Sequence, residues 1–193
     1  MLTLLEDILQ ENAKFIQETG IDYSQLDSAA SKYPRRNLAI VTCMDTRLTG
    51  FLEPALGINR GDAKIIRTAG NSITATFGVT IRSLLVAVFT LKVQEIMVIG
   101  HYECGLEHLS AQELIRNMHE QGISPEAIHM IQPELEQWID HFHHPLQNVE
   151  ETVTKIRLNP LIPKTVPVHG LIFHPRTGKI EEVVNGYKFL PQK

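Results

Sequence analysis

Three short apolar runs, spaced so that a helix fits between neighbours, constrain this chain more than any other feature. Residues 38–41 form a continuous, partly β-branched run, residues 63–67 read as a second strand around Ile65 and Ile66, and residues 95–99 as the third and clearest. Runs of that length read as strands buried on both faces. Residues 72–91 are apolar on one side at helical spacing, and a short helix is expected over 48–55. Strand–helix–strand repetition predicts a parallel sheet covered by helices on both faces. Residues 166–173 supply a fourth strand, and the short turn at 174–178 folds residues 179–184 back as an antiparallel fifth. The expected architecture is α/β, with four parallel strands plus a C-terminal antiparallel strand, flanked by helices.

The remaining segments fit around that sheet. Leu4, Leu5, Ile8, Leu9, Phe15 and Ile16 recur at helical spacing through residues 2–19, and Gly20 ends the pattern. Residues 107–158 read as mostly helical, broken near 122–125 and 143–145. A length of 193 residues suits one domain, so 1–193 is expected to fold as a unit. The net charge is −4 and the 18 basic residues are scattered, which argues against nucleic acid as a partner. No apolar run approaches the roughly 18–20 residues that span a membrane. Residues 1–7 lack a basic stretch and are interrupted by Glu6 and Asp7, so no signal peptide is expected and the protein is placed in the cytoplasm. Only two cysteines are present, far too few for a disulfide scaffold, and both are expected to stay reduced.

Both cysteines fall where the sheet should carry chemistry. In open α/β sheets ligands bind beyond the carboxyl ends of the strands. Cys43 follows the first strand, while His101 and Cys104 follow the third, in the segments Cys43-Met44-Asp45-Thr46-Arg47 and His101-Tyr102-Glu103-Cys104-Gly105. Two thiolates and one imidazole are donors that zinc prefers, and a catalytic zinc keeps three protein ligands and one open position. His-x2-Cys lets one tight turn supply two ligands, with Cys43 as the third. Such a zinc lowers the pKa of its bound water from 15.7 to about 7. Asp45 is placed to orient that hydroxide or to close the site as a fourth ligand. Arg47 is suited to hold Asp45 through a bidentate pair, ionised and off the metal. Alternatively, Asp45 caps the helix that follows and Arg47 is a surface charge.

Cys-x-Asp-x-Arg followed by His-x2-Cys-Gly, each after a parallel strand, resembles the β-class carbonic anhydrases, in particular their short prokaryotic branch. Supporting segments are Arg67-Thr68-Ala69-Gly70-Asn71, Val168-His169-Gly170-Leu171 and Asn185-Gly186-Tyr187. The resemblance implies one Zn2+ per subunit on Cys43, His101 and Cys104, with Asp45 as fourth ligand in a closed state. It implies an Asp45–Arg47 catalytic dyad and reversible hydration of carbon dioxide to bicarbonate and a proton by zinc-bound hydroxide. It also implies that the backbone of Gly105 positions bicarbonate. The assembly implied is a homodimer or tetramer, with helix 1–20 packed on the partner subunit. Carbon disulfide hydrolases share the metal motif, so hydrolysis of a carbon dioxide analogue is one alternative. A non-catalytic zinc-binding or redox-sensing protein is the other.

Other conspicuous residues receive plainer readings. Arg67 is expected to make a strand-end pair, and Asn71 and Ser72 to cap the long helix. His119, His129, His141, His143 and His144 are expected to form a solvated face rather than a second metal site. His108, the histidine nearest the ligand loop in sequence, is the candidate proton relay. Trp138 lies in the helical insert, and no Gly-x-Gly-x-x-Gly follows the first strand, which disfavours a dinucleotide site.

Overall fold

The computed structural model describes residues 3–19, 31–140, 142 and 144–192. Backbone contacts divide the chain into two units, with the boundary between Lys32 and Tyr33. The first contains helix α1 (Leu4–Thr19). Thr3 and Glu6 open it with a capping box, in which Thr3 Oγ1 accepts from Glu6 N at 3.3 Å and Glu6 Oε2 accepts from Thr3 N at 2.8 Å. Its apolar residues Leu4, Leu5, Ile8, Leu9, Phe15 and Ile16 are all exposed. Gly20, expected to end the helix, lies outside the described residues.

The second unit carries strands β1 (Leu38–Cys43), β2 (Ala63–Thr68), β3 (Glu95–His101), β4 (Val168–Phe173) and β5 (Ile180–Val184). They form one sheet in the order β2-β1-β3-β4-β5. The first four are parallel and β5 is antiparallel to β4, as the strand pattern predicts. Around the sheet lie α2 (Leu52–Ala55), α3 (Val79–Thr90), α4 (Ala111–Glu120), α5 (Pro125–Ile139) and α6 (Pro145–Leu158). Ser110 and Ser124 cap α4 and α5, and prolines open α5 and α6. No helix among the described residues is long and apolar enough to cross a membrane.

Strand alternation divides the core between two faces. Ala39, Val41, Ile96 and Val98 pack with Ile81 and Leu84 of α3 and with Val149, Val153 and Ile156 of α6. Leu38, Ile40 and Ile99 face Leu48, Leu52, Phe142 and Phe173. Ile40 and Ile99 are about fully buried, and each such side chain contributes about 1.5–3 kcal/mol through transfer from water. The cysteines join this second cluster at its carboxyl edge.

Two expectations need correction. The helix expected over residues 72–91 begins only at Val79, with Gly78 as its N-cap. Gly70 and Asn71 adopt left-handed φ of 64° and 50°, and Ser72 leaves extended at ψ 153°. The chain therefore leaves Ser72 in a non-helical course, and neither Asn71 nor Ser72 caps α3. The helix expected over 48–55 is instead a 3-10 turn at Thr46–Leu48 followed by the single-turn α2.

Gly100 matters because α6 lies directly over β3. A Cβ on Gly100 would stand 2.5 Å from Val149 Cγ2, inside any tolerated contact. Gly100→Ala should therefore lower stability by about 1–3 kcal/mol through overpacking. The check is a lower urea midpoint with an unchanged denaturant slope; an unchanged midpoint would show that α6 shifts freely.

Candidate metal centre

Parallel pairing brings the two sequence segments together. Thr42 of β1 is in register with Ile99 of β3, and Thr42 Oγ1 donates to Ile99 O at 2.8 Å. Cys43 therefore lies level with Gly100, one residue before β3 ends at His101, and meets the loop that follows β3. Cys43, His101 and Cys104 are 4%, 1% and 3% exposed. Their donor atoms lie within 4.8 Å of one another, the one such group of three among the described residues.

The geometry of this group suits a soft divalent cation. Two sulfurs at about 2.3 Å from a tetrahedral zinc lie about 3.8 Å apart. Here Cys43 Sγ and Cys104 Sγ are separated by 3.9 Å, and both thiols are free. His101 Nδ1 lies 2.9 Å from the carbonyl of Tyr102, so Nδ1 carries the proton. That leaves the Nε2 lone pair free, and Nε2 is buried without a hydrogen-bond partner. A buried unpartnered nitrogen is costly, and a metal ligand bond would satisfy it.

Electrostatics support the same arrangement. The Cys104 side chain hydrogen-bonds Cys43 and holds the Cys43 thiol well below its usual range, with His101 assisting against burial. Cys104 is pushed up, first by that same bond and then by burial, so the pair gives up its first proton readily. Burial disfavours charged His101, yet the adjoining Cys43 outweighs it and holds its pKa above the ordinary value. A lowered thiol pKa favours the thiolate form that a cation binds.

Asp45 borders this group on the ligand side, with Oδ2 3.9 Å from His101 Nε2. Arg47 Nε and Nη2 donate to its two carboxylate oxygens at 3.0 and 2.8 Å. Asp45 Oδ1 also accepts from Arg47 N at 2.9 Å, so Asp45 caps the 3-10 turn as well as pairing. The capping and paired readings are thus both realised. Hydrogen bonding from Arg47 lowers the Asp45 pKa to about 2.

Neighbouring residues frame the centre. Arg67 Nη1 donates to the Cys43 carbonyl at 3.1 Å and Nη2 to Glu53 Oε1 at 2.5 Å, the expected strand-end pair. Gly105 opens a 3-10 turn with open space beside its Cα. His108 ends that turn and is exposed. His119, His129 and His144 are exposed as expected, while His141 and His143 lie outside the described residues.

Two features escaped the sequence reading. An apolar cavity of about 400 Å³ opens beside Thr68, the register partner of Cys43, between Ile73, Val79, Leu135 and Trp138. Residues 72–74 and the turn at 75–78, where Gly78 N donates to Ala75 O, border that cavity in place of a helix, and the helical pattern concealed it. The second is a contact of Glu103 with both Arg47 and Arg176. Its only sequence signal is a cation in the turn after β4, one strand away from His101.

The fold is thus that of an α/β protein whose parallel sheet gathers two thiols and an imidazole, a group that could hold a metal ion, at its carboxyl edge. Residues 38–180 match the carbonic anhydrase family. The crystal structure of β-carbonic anhydrase isoform I from Trichomonas vaginalis is 42% identical, with a TM-score of 0.90 over 96% of this chain and 100% of that one. The Bacillus subtilis protein YvdA is 39% identical over 187 residues, 95% of this chain and 93% of that one. The carbon disulfide hydrolase of Acidithiobacillus thiooxidans is 31% identical over 181 residues, 82% and 86% of the two chains. The chain belongs to the β-carbonic anhydrase family of enzymes, a membership that implies hydration of carbon dioxide.

The depressed Asp45 pKa carries a sign. A carboxyl that titrates near 3.9 unfolded and about 2 folded stabilises the fold above the unfolded value and loses that contribution as pH falls to about 2. Carbon-detected NMR of Asp45 should show a midpoint near the lower value, returning towards the ordinary range in Arg47→Ala. A midpoint of about 4 in the unaltered protein would contradict the clamp.

Proposed function

We propose that Cys43, His101 and Cys104 bind one Zn2+ per subunit and that the protein reversibly hydrates carbon dioxide to bicarbonate and a proton, as a lyase. The observation that carries this reading is the buried, unpartnered His101 Nε2 facing two thiols 3.9 Å apart. When bound, zinc acts as a Lewis acid and makes a water nucleophilic near neutral pH. The chain's own residues then orient and select. Arg47 occupies both Asp45 oxygens, keeping the carboxylate ionised and directed towards the ligand side. An ionised carboxylate there accepts a hydrogen bond from the attacking water and fixes its lone pair towards carbon dioxide. Arg47 also keeps Asp45 from taking the fourth ligand position. The exposed N-terminal end of the turn at Gly105 offers its backbone N–H to bicarbonate.

On this reading residues 1–193 make one catalytic domain in a cytoplasmic homodimer or tetramer. The exposed apolar row of α1 supports a helix that packs on a partner subunit. The Acidithiobacillus relative supports a second reading, in which the same centre hydrolyses carbon disulfide. Both readings use the same ligands and dyad.

Cys104→Ala should lose zinc and activity together, measured by metal analysis and stopped-flow carbon dioxide hydration on one sample. Full activity in that variant would remove the ligand assignment. Arg47→Ala should keep zinc but lose about 10²-fold or more in turnover, the range general acid–base and orienting groups supply. Because Asp45 is ionised from about pH 2 upward, any alkaline rise in rate belongs to the metal-activated water and not to Asp45. Assaying carbon dioxide and carbon disulfide side by side separates the two readings. Light scattering should return a multiple of the 21.8 kDa chain mass, and a monomer would sink the oligomer.

A further inference from the structure

Glu103 lies between two of the three donors, His101 and Cys104, in a backbone conformation unusual for its type. Its φ is +58°, in the left-handed region that glutamate rarely occupies. That conformation turns its side chain across to the Asp45–Arg47 pair. Arg47 Nη2 donates to the Glu103 carbonyl at 2.6 Å, and Arg47 Nη1 approaches Glu103 Oε2 at 3.4 Å. From the other side Arg176, in the turn between β4 and β5, holds the same carboxylate bidentately. Its Nε lies 2.8 Å from Oε1 and its Nη2 2.9 Å from Oε2. Asp45, Arg47, Glu103 and Arg176 therefore alternate in charge along a single chain of contacts.

An isolated exposed ion pair contributes little, and Arg176 and Glu103 are 79% and 45% exposed at their side chains. Position distinguishes this one. Arg47 has a limited number of N–H groups, and it divides them between Asp45 and Glu103. A Glu103 carboxylate without Arg176 would be an unshared anion beside Arg47 and would draw the guanidinium away from Asp45. With Arg176 engaged, that pull is moderated, and Arg47 keeps both of its contacts to Asp45. A bidentate guanidinium–carboxylate pair also fixes orientation in a way a point charge does not.

We propose that Glu103 and Arg176 are positioning residues that set how firmly Arg47 holds Asp45. Neither touches the ligand donors, and both act through Arg47. The inference rests on the proposed metal centre and dyad, and deepens them.

Arg176→Ala, Arg176→Lys and Glu103→Gln test it in the full-length metal-loaded protein. The readouts are metal content, thermal midpoint, kcat/KM for carbon dioxide, and the visible absorption of the cobalt-substituted protein, which reports the ligands around the metal. Arg176→Ala should retain full metal and an unchanged thermal midpoint. Its kcat/KM should fall about tenfold, the effect of roughly 1.4 kcal/mol in transition-state positioning, and its cobalt bands should shift as Asp45 moves. Arg176→Lys should recover part of the rate, because a single ammonium restores charge without the fork. Glu103→Gln should also alter the cobalt bands at full metal content.

Wild-type rate and spectrum in Arg176→Ala would overturn the proposal and leave a surface ion pair. Loss of metal in Arg176→Ala would also overturn it, by making the contact part of the scaffold of the ligand loop. Should Glu103→Gln fail to fold, Arg176→Ala decides alone, because Arg176 sits on a turn outside that loop. A wild-type protein that binds cobalt but does not hydrate carbon dioxide would sink the functional reading. The cobalt bands of the variants would still judge the positioning role.

Discussion

The register of β1 against β3 is the constraint on which the centre depends. Because Thr42 pairs with Ile99, the strands end within one residue of each other, and their last residues share one small volume. The hydrogen bond from Thr42 to the Ile99 carbonyl fastens that last step from within the core. Leu48, Leu52, Phe142 and Phe173 then close the space around the donors. A register slip of one residue would swap the side chains of β1 between the two packed faces and carry Cys43 away from the loop that holds His101 and Cys104. The site is therefore secured by the same apolar packing that secures the sheet. No separate device is needed to hold the thiols near the imidazole.

That burial has an electrostatic consequence. Thiolate and imidazole taken out of water attract a cation more strongly than they would at the surface, since the local dielectric is low. The same burial makes donors without a cation costly, as the buried and unpartnered His101 Nε2 shows. Around this dry cluster the charged residues form a wetter outer layer. Asp45 stands at the boundary, only 15% exposed at its side chain, while Arg47 is 43% exposed. The carboxylate is thus held from the solvent side by a residue that solvent reaches.

Where the sequence was legible, it was because a period or a spacing expressed one physical demand. The buried strands needed apolar runs, and residues 38–41 and 95–99 show them without interruption. The donors needed softness and proximity to strand ends, and Cys43, His101 and Cys104 show both. Residues 72–78 misled because Ile73, Ala75 and Phe77 satisfy helical and extended patterns alike. What decides between them is the left-handed pair Gly70–Asn71, which turns the chain before a helix can start. A Cβ on Gly70 would stand 2.6 Å from Leu106 and 2.7 Å from Phe142, so that turn is fixed by contacts remote in sequence. Arg176 was illegible for the same reason: its partner is 73 residues away, and the contact exists only once β4 is laid beside β3.

The fate of the fourth position separates a catalytic centre from a storage or structural one. A structural zinc site is closed by four protein ligands, whereas a catalytic site retains three and leaves one position for water or substrate. This chain has a potential fourth ligand in place, since Asp45 lies 3.9 Å from His101 Nε2. A protein that merely stored the metal would gain by letting that carboxylate bind. Instead Arg47 occupies both of its oxygens and also receives its backbone cap. On the proposed reading, a charged pair at that boundary keeps the carboxylate on Arg47 and a coordination position open, while Asp45 Oδ1 also caps the 3-10 turn. The donors alone would serve storage or catalysis, so it is the Asp45–Arg47 pair that gives the proposed catalytic reading its support.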